Sequence, residues 1–149
     1  MTNAKSVVWR GCPIRYASAN FGDKWSLMLI RDIMFKDRRY YSEFLEAGEG
    51  ISTNILADRL LKLENDGIIE KQIDPVKKSK KIYRLTEKGL ALMPIMLSII
   101  QWSEKYDAGT EVPGEFIQQL NDNQSDLQKV LLDNIAQIDN SGRNKETPR

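Results

Sequence analysis

The chain has 149 residues, which suits one domain with a modest extension, and a 41% hydrophobic composition that can build a core. It holds no histidine and a single cysteine, Cys12, so an intrachain disulfide, a cysteine-rich zinc site and the commonest general base are excluded. The net charge is only +1, but residues 1–89 carry 17 Lys+Arg against 12 Asp+Glu and residues 90–149 carry 5 against 9; a basic head with an acidic tail suits a polyanion binder with a second module.

No apolar run approaches the about 18 residues of a membrane span, and the first residues lack a signal-peptide core, so a cytoplasmic location without membrane contact is expected. Neither a Gly-rich phosphate loop nor a clustered acidic pair is present. The chain therefore reads as a non-enzyme without metal or cofactor.

In chain order, a first helix should open at Pro13 and end near Gly22, since Pro favours the first helical turn and Gly the position past the last. Asp23 reads as the N-cap of a second helix, Lys24 to about Phe35, apolar around most of its circumference and therefore central. Lys36-Asp37-Arg38-Arg39 reads as a polar turn. A short helix, Tyr41 to about Ala47, is broken by Gly48-Glu49-Gly50. Ser52 can cap the next helix, in which Leu56, Leu60 and Leu63 form one buried stripe before Asp66-Gly67 ends it.

Two β-branched and aromatic stretches, Ile68 to Ile73 and Lys81 to Leu85, then read as strands around a basic loop at 74–80. Thr86 should cap a long helix running to about residue 106 and kinked by Pro94, with its Met and Trp residues in the core. After a loop, an amphipathic region from Glu115 to Ile138, interrupted near Asn121 to Ser125, leads into a polar tail from Asn140 that is expected to be disordered. This gives 1–107 as one domain and 108–149 as a helical extension that supports dimerisation.

The order helix, short helix, Gly-rich turn, capped helix, strand, basic loop, strand is that of a winged helix-turn-helix, an α+β fold. A helix fits the major groove with its first residues nearest the base edges. Here those are Ser52, Thr53 and Asn54, followed on the outer face by Asp58, Arg59 and Lys62. The loop between the strands places Lys77, Lys78, Lys80 and Lys81 where phosphates can be met. Each feature alone has a plain reading: capped amphipathic helices occur in many folds, and lysine-rich turns are commonly just solvated. A winged helix can also serve as a protein-interaction module without DNA contact.

The stretch Ile51-Ser52-Thr53-Asn54-Ile55-Leu56-Ala57-Asp58-Arg59-Leu60, then Leu63-Glu64-Asn65-Asp66-Gly67-Ile68-Ile69 and Tyr83-Arg84-Leu85-Thr86-Glu87-Lys88-Gly89, resembles the HxlR-type regulators. Cys12-Pro13, Gly22-Asp23-Lys24-Trp25, Leu92-Met93-Pro94-Ile95 and Trp102 resemble that family's flanking signatures. The resemblance covers about residues 9 to 106. It implies a homodimeric, non-catalytic regulator that binds a pseudo-palindromic DNA operator, with the first and post-wing helices in the dimer interface. The wing departs from the family pattern in its lysines, and residues 107–149 exceed the usual family length. Cys12, before Pro13 and near Arg10 and Arg15, corresponds to a position that senses oxidants or electrophiles in some members; the alternative is a buried, inert thiol at the interface. An oxidant or small-molecule inducer is the corresponding partner.

Overall fold

The computed structural model of the protein describes residues 10–141. The elements run α1 (Pro13–Phe21), α2 (Lys24–Phe35), α3 (Tyr41–Leu45), α4 (Thr53–Asn65), β1 (Ile69–Ile73), β2 (Lys81–Leu85), α5 (Glu87–Leu90), α6 (Met93–Tyr106), α7 (Gly114–Asp122) and α8 (Gln124–Ser141). This is the α+β winged helix-turn-helix expected from the sequence, with a helical extension after it.

Local chemistry sets most of the boundaries. Pro13 opens α1, and the Cys12 sulfur accepts the Arg15 N–H at 3.4 Å. Asp23 Oδ2 accepts the Ser26 N–H at 3.1 Å and starts α2. Ser52 Oγ accepts the Ile55 N–H at 3.2 Å and starts α4. Gly67 leaves α4 at φ 76, a left-handed conformation that costs glycine little.

The core is built around α2. Leu29, Ile30, Ile33 and Met34 meet Phe44 from α3, Leu56, Leu60 and Leu63 from α4, Ile69 and Leu85 from the hairpin, and Met93, Met96 and Leu97 from α6. Strands β1 and β2 pair antiparallel, from Ile69 opposite Leu85 to Ile73 opposite Lys81. Gly89 lies against the start of β1: a Cβ there would sit 2.2 Å from the Ile68 carbonyl oxygen, so this close approach admits no larger residue without movement.

Several expectations change. The helix after Thr86 is broken, not kinked. Residues Ala91 and Leu92 separate α5 from α6, because Pro94 has no N–H to continue the ladder and instead occupies the first turn of a new helix. Of the residues expected in its core, Met93 and Met96 are buried, whereas Trp102 is 66% exposed. The short helix α3 ends at Leu45, two residues early. Arg39, expected in a polar turn, is completely buried.

The extension packs part of its apolar face within the chain, while Val130 stays exposed. Leu120, Leu127 and Ile135 join the core, and Phe116 meets Phe35 edge to face at 6.4 Å. Asn140 and Ser141 complete α8, so the expected disordered tail does not begin at Asn140. Residues 142–149 of that tail lie outside the described residues.

Candidate nucleic-acid interface

The first turn of α4 is bare. Ser52, Thr53 and Asn54 are all exposed, and Asp58 is exposed one turn further on. The Ser52 oxygen is engaged as a cap acceptor, which leaves its hydroxyl proton for an outside partner. Helix positions of this kind offer short polar side chains ahead of the helix body.

The two predicted cations of α4 are half-buried and engaged by partners within the chain. Arg59 Nε donates to Asp23 Oδ2 at 2.8 Å, and its Nη1 reaches Asp58. Asp23 thereby caps α2 and ties α4 to it. Burial opposes its ionisation, but the bonds from Ser26 and Arg59 prevail and lower its pKa to about 2. Lys62 Nζ donates to the carbonyls of Ala19 and Asn20, where α1 ends, and to Asp66 Oδ2 at 2.7 Å. A cation at the last carbonyls of a helix is a C-terminal cap. Lys62 thus locks α1 to α4.

The wing presents Lys77, Lys78, Lys80 and Lys81, each exposed. Its shape depends on Asp74, 1% exposed, which sequence reasoning passed over. Asp74 Oδ1 accepts the N–H groups of Val76 at 2.9 Å and Lys77 at 3.2 Å, and Oδ2 accepts the Tyr40 hydroxyl at 2.8 Å. Burial pushes this carboxyl up. The three hydrogen bonds and the Lys77 charge outweigh it and hold its pKa below the ordinary value. An Asp ahead of Pro75 with N–H groups two and three residues on is an Asx turn, so the Asp-Pro pair was the available signal.

Two adjacent tyrosines join the start of α4 to the wing. Tyr40 holds Asp74 at the wing base, and Lys80 Nζ lies 5.5 Å from the Tyr40 ring centroid. Tyr41 donates its hydroxyl to the Thr53 carbonyl at 3.3 Å. The start of α4 and the base of the wing are therefore both anchored on the start of α3. No sequence spacing announces this pair, because the contacts span 12 and 34 residues.

Away from this surface, Cys12 is exposed in the single chain. An apolar stripe runs along α6 through Ile95, Ile99, Trp102 and Tyr106, and α1 exposes Ile14 and Tyr16. Among the described residues no group of His, Cys, Asp and Glu could hold a metal ion, and no helix is long and apolar enough to cross a membrane.

A family model described as HxlR-like helix-turn-helix matches residues 20–111. The chain is 34% identical over 96 residues to the HTH-type transcriptional regulator YodB of Bacillus subtilis, covering 64% of this chain and 85% of the relative. It is 33% identical over 88 residues to the HTH-type transcriptional regulator sll1512 of Synechocystis sp., covering 59% of this chain and 64% of that relative, a little under two thirds of its length. Among solved structures, the redox regulator HypR in its oxidized form is similar with a TM-score of 0.57 and 30% identity, over 68% of this chain and all of that one.

Proposed function

The chain belongs to the HxlR-like helix-turn-helix family, and on that premise we propose that it is a DNA-binding transcriptional regulator that occupies an operator as a homodimer. The observation that carries this reading is the joint anchoring of an uncovered helix start and a four-lysine wing on Tyr40 and Tyr41. In this reading Ser52, Thr53 and Asn54 face base edges, and Lys77, Lys78, Lys80 and Lys81 face phosphates. Asp58 borders the reading surface, while Arg59 and Lys62 set its position from behind. Catalysis has no part in it, and the setting is cytoplasmic.

Residues 1–107 form the DNA-binding domain and 108–149 an extension that supports it. The exposed stripe of α6, with Ile14 and Tyr16 of α1, covers the partner's equivalent surface. An apolar row at helical spacing of this size is rarely left to water. Cys12, exposed at the start of α1, is the thiol through which an oxidant reaches that interface. A small change there alters the separation of the two reading helices, which must match half-sites about 34–36 Å apart.

The test is selection of a duplex from a random pool, followed by titration of the selected duplex at several salt concentrations. Specific binding with a steep salt dependence is expected, and light scattering should give a dimer at micromolar concentration. Asn54→Ala should change the base preference by about 1–3 kcal/mol at one position per half-site. Diamide should weaken binding in the wild type but not in Cys12→Ser. Equal, weak binding to every duplex favours a protein-interaction role for the winged helix.

A further inference from the structure

Arg39 is the point where the extension meets the wing. Its side chain is fully buried. Nη1 donates to the Ile33 carbonyl at 2.6 Å, within α2, and to its neighbour Arg38 at 2.9 Å. Nε donates to Asp139 Oδ1 on α8 at 3.0 Å, across 100 residues of sequence. The main chain of the same residue bonds to two other elements. Its carbonyl accepts the N–H of Tyr83, the central residue of β2, at 2.8 Å, and its N–H donates to Glu43 of α3 at 2.9 Å. The next residue of β2, Arg84, brings its Nε to 3.9 Å from the same Asp139 oxygen.

A two-stranded hairpin is marginal on its own in water and takes its position from what it packs against. Here the outer edge of β2 is pinned by the Arg39 carbonyl, and Arg39 is pinned by the Asp139 carboxylate. Asp139 is itself 17% exposed at its side chain, and Arg39 1%, so the pair lies largely out of water. A buried guanidinium that loses its facing carboxylate must rehydrate or move. Either outcome releases the Tyr83 N–H and with it the strand that leads directly back to Lys81 and Lys80.

We infer that Asp139 is a positioning residue for DNA binding: through Arg39 and Arg84 it fixes where the wing lysines fall, which makes the C-terminal helix part of the reading head. The inference rests on the DNA-binding reading above. It gives the extension a role that the family-matched residues 20–111 do not contain.

The test uses the full-length dimer and the duplex that the wild type selects from a random pool. Asp139→Asn keeps the shape and removes the charge. A loss of affinity of about threefold to thirtyfold is expected, the range typical of residues that act through a network. The discriminating readout is the salt dependence. Released wing lysines no longer displace counterions, so the salt slope should flatten while the base preference at the α4 contacts stays as in the wild type. A general loss of folded protein would lower affinity with the slope unchanged. Amide exchange at Tyr83, which needs no DNA, should accelerate. In a Lys77→Ala, Lys78→Ala background, Asp139→Asn should flatten the slope less than it does alone.

If Asp139→Asn is unfolded by circular dichroism, Asp139→Ser, which leaves room for water beside the guanidinium, carries the same measurements. An unchanged salt slope and unchanged Tyr83 exchange in a folded variant overturn the inference. A wild type that selects no duplex overturns the DNA reading instead, and this one with it.

Discussion

Lys36-Asp37-Arg38-Arg39 and Lys77-Lys78-Ser79-Lys80-Lys81 are both short basic stretches; the first reads from sequence as a polar turn and the second as a basic loop that runs into a strand and can meet phosphates. In the fold they part. In the first, Arg38 Nη1 bonds buried Asp32 at 2.7 Å, and Arg39 is enclosed between α2, α8 and β2. In the second, all four lysines are exposed, three on a loop organised by Asp74 and Lys81 at the start of β2. The difference follows the side chains. A guanidinium spreads five donors over a plane and is weakly hydrated, so it can satisfy several acceptors at once inside a fold. An ammonium is strongly hydrated and keeps its charge available to a phosphate. Within these two stretches the type of cation, more than the count, divides the scaffold from the binding surface, although Lys62 serves the scaffold elsewhere.

The sharpest way to break this comparison is Arg39→Ala. It leaves Asp139 without its partner and the Ile33 carbonyl without its donor, and the expected loss is about 3–5 kcal/mol of unfolding free energy in urea. Arg39→Lys should restore only part of this, because one ammonium cannot reach Ile33 and Asp139 in the same geometry. If Arg39→Ala unfolds at the wild-type urea midpoint, the two stretches are equivalent after all.

Lys77→Ala with Lys78→Ala tests the other side. The urea midpoint should not move, since neither side chain is packed. The slope of log affinity against log salt should fall by about 2 for each wing, one per phosphate contact, with sequence preference retained. A change in stability without a change in slope would reverse the assignment.

The smallest effect concerns pH. The Asp74 carboxyl lies below its ordinary range in the folded chain. A depressed carboxylate contributes stability that is fully present above its unfolded value of about 3.9 and is lost as pH falls through its folded value. The wing should therefore keep its shape through neutral and mildly acid solution and loosen only below about pH 4. The Val76 and Lys77 amide resonances report this directly. Asp74→Asn should show the loosened pattern at every pH, and titration of those amides near pH 6 would contradict the buried turn.

What the sequence determined about this protein was local. Caps, glycines and apolar spacing placed α1, α2, α4 and both strands to within a residue or so, because Asp23, Ser52 and Gly67 act on their own neighbours. The exposed start of α4 and the lysines of the wing were legible for the same reason. Tertiary structure alone decided which partners the polar groups find. Arg59 and Lys62 looked like outer-face cations until Asp23 and the end of α1 came within reach of them. Tyr40, Tyr41 and Asp139 gained their parts only by contact across 12 to 100 residues of chain, and Asp74, whose turn is local, met the Tyr40 hydroxyl only in the fold. At Pro94 the sequence announced a disturbance but not whether it would be a kink or the break before α6. Periodicity records which residues leave water; it does not record which partner a buried charge will find there, since that depends on where distant elements are brought together.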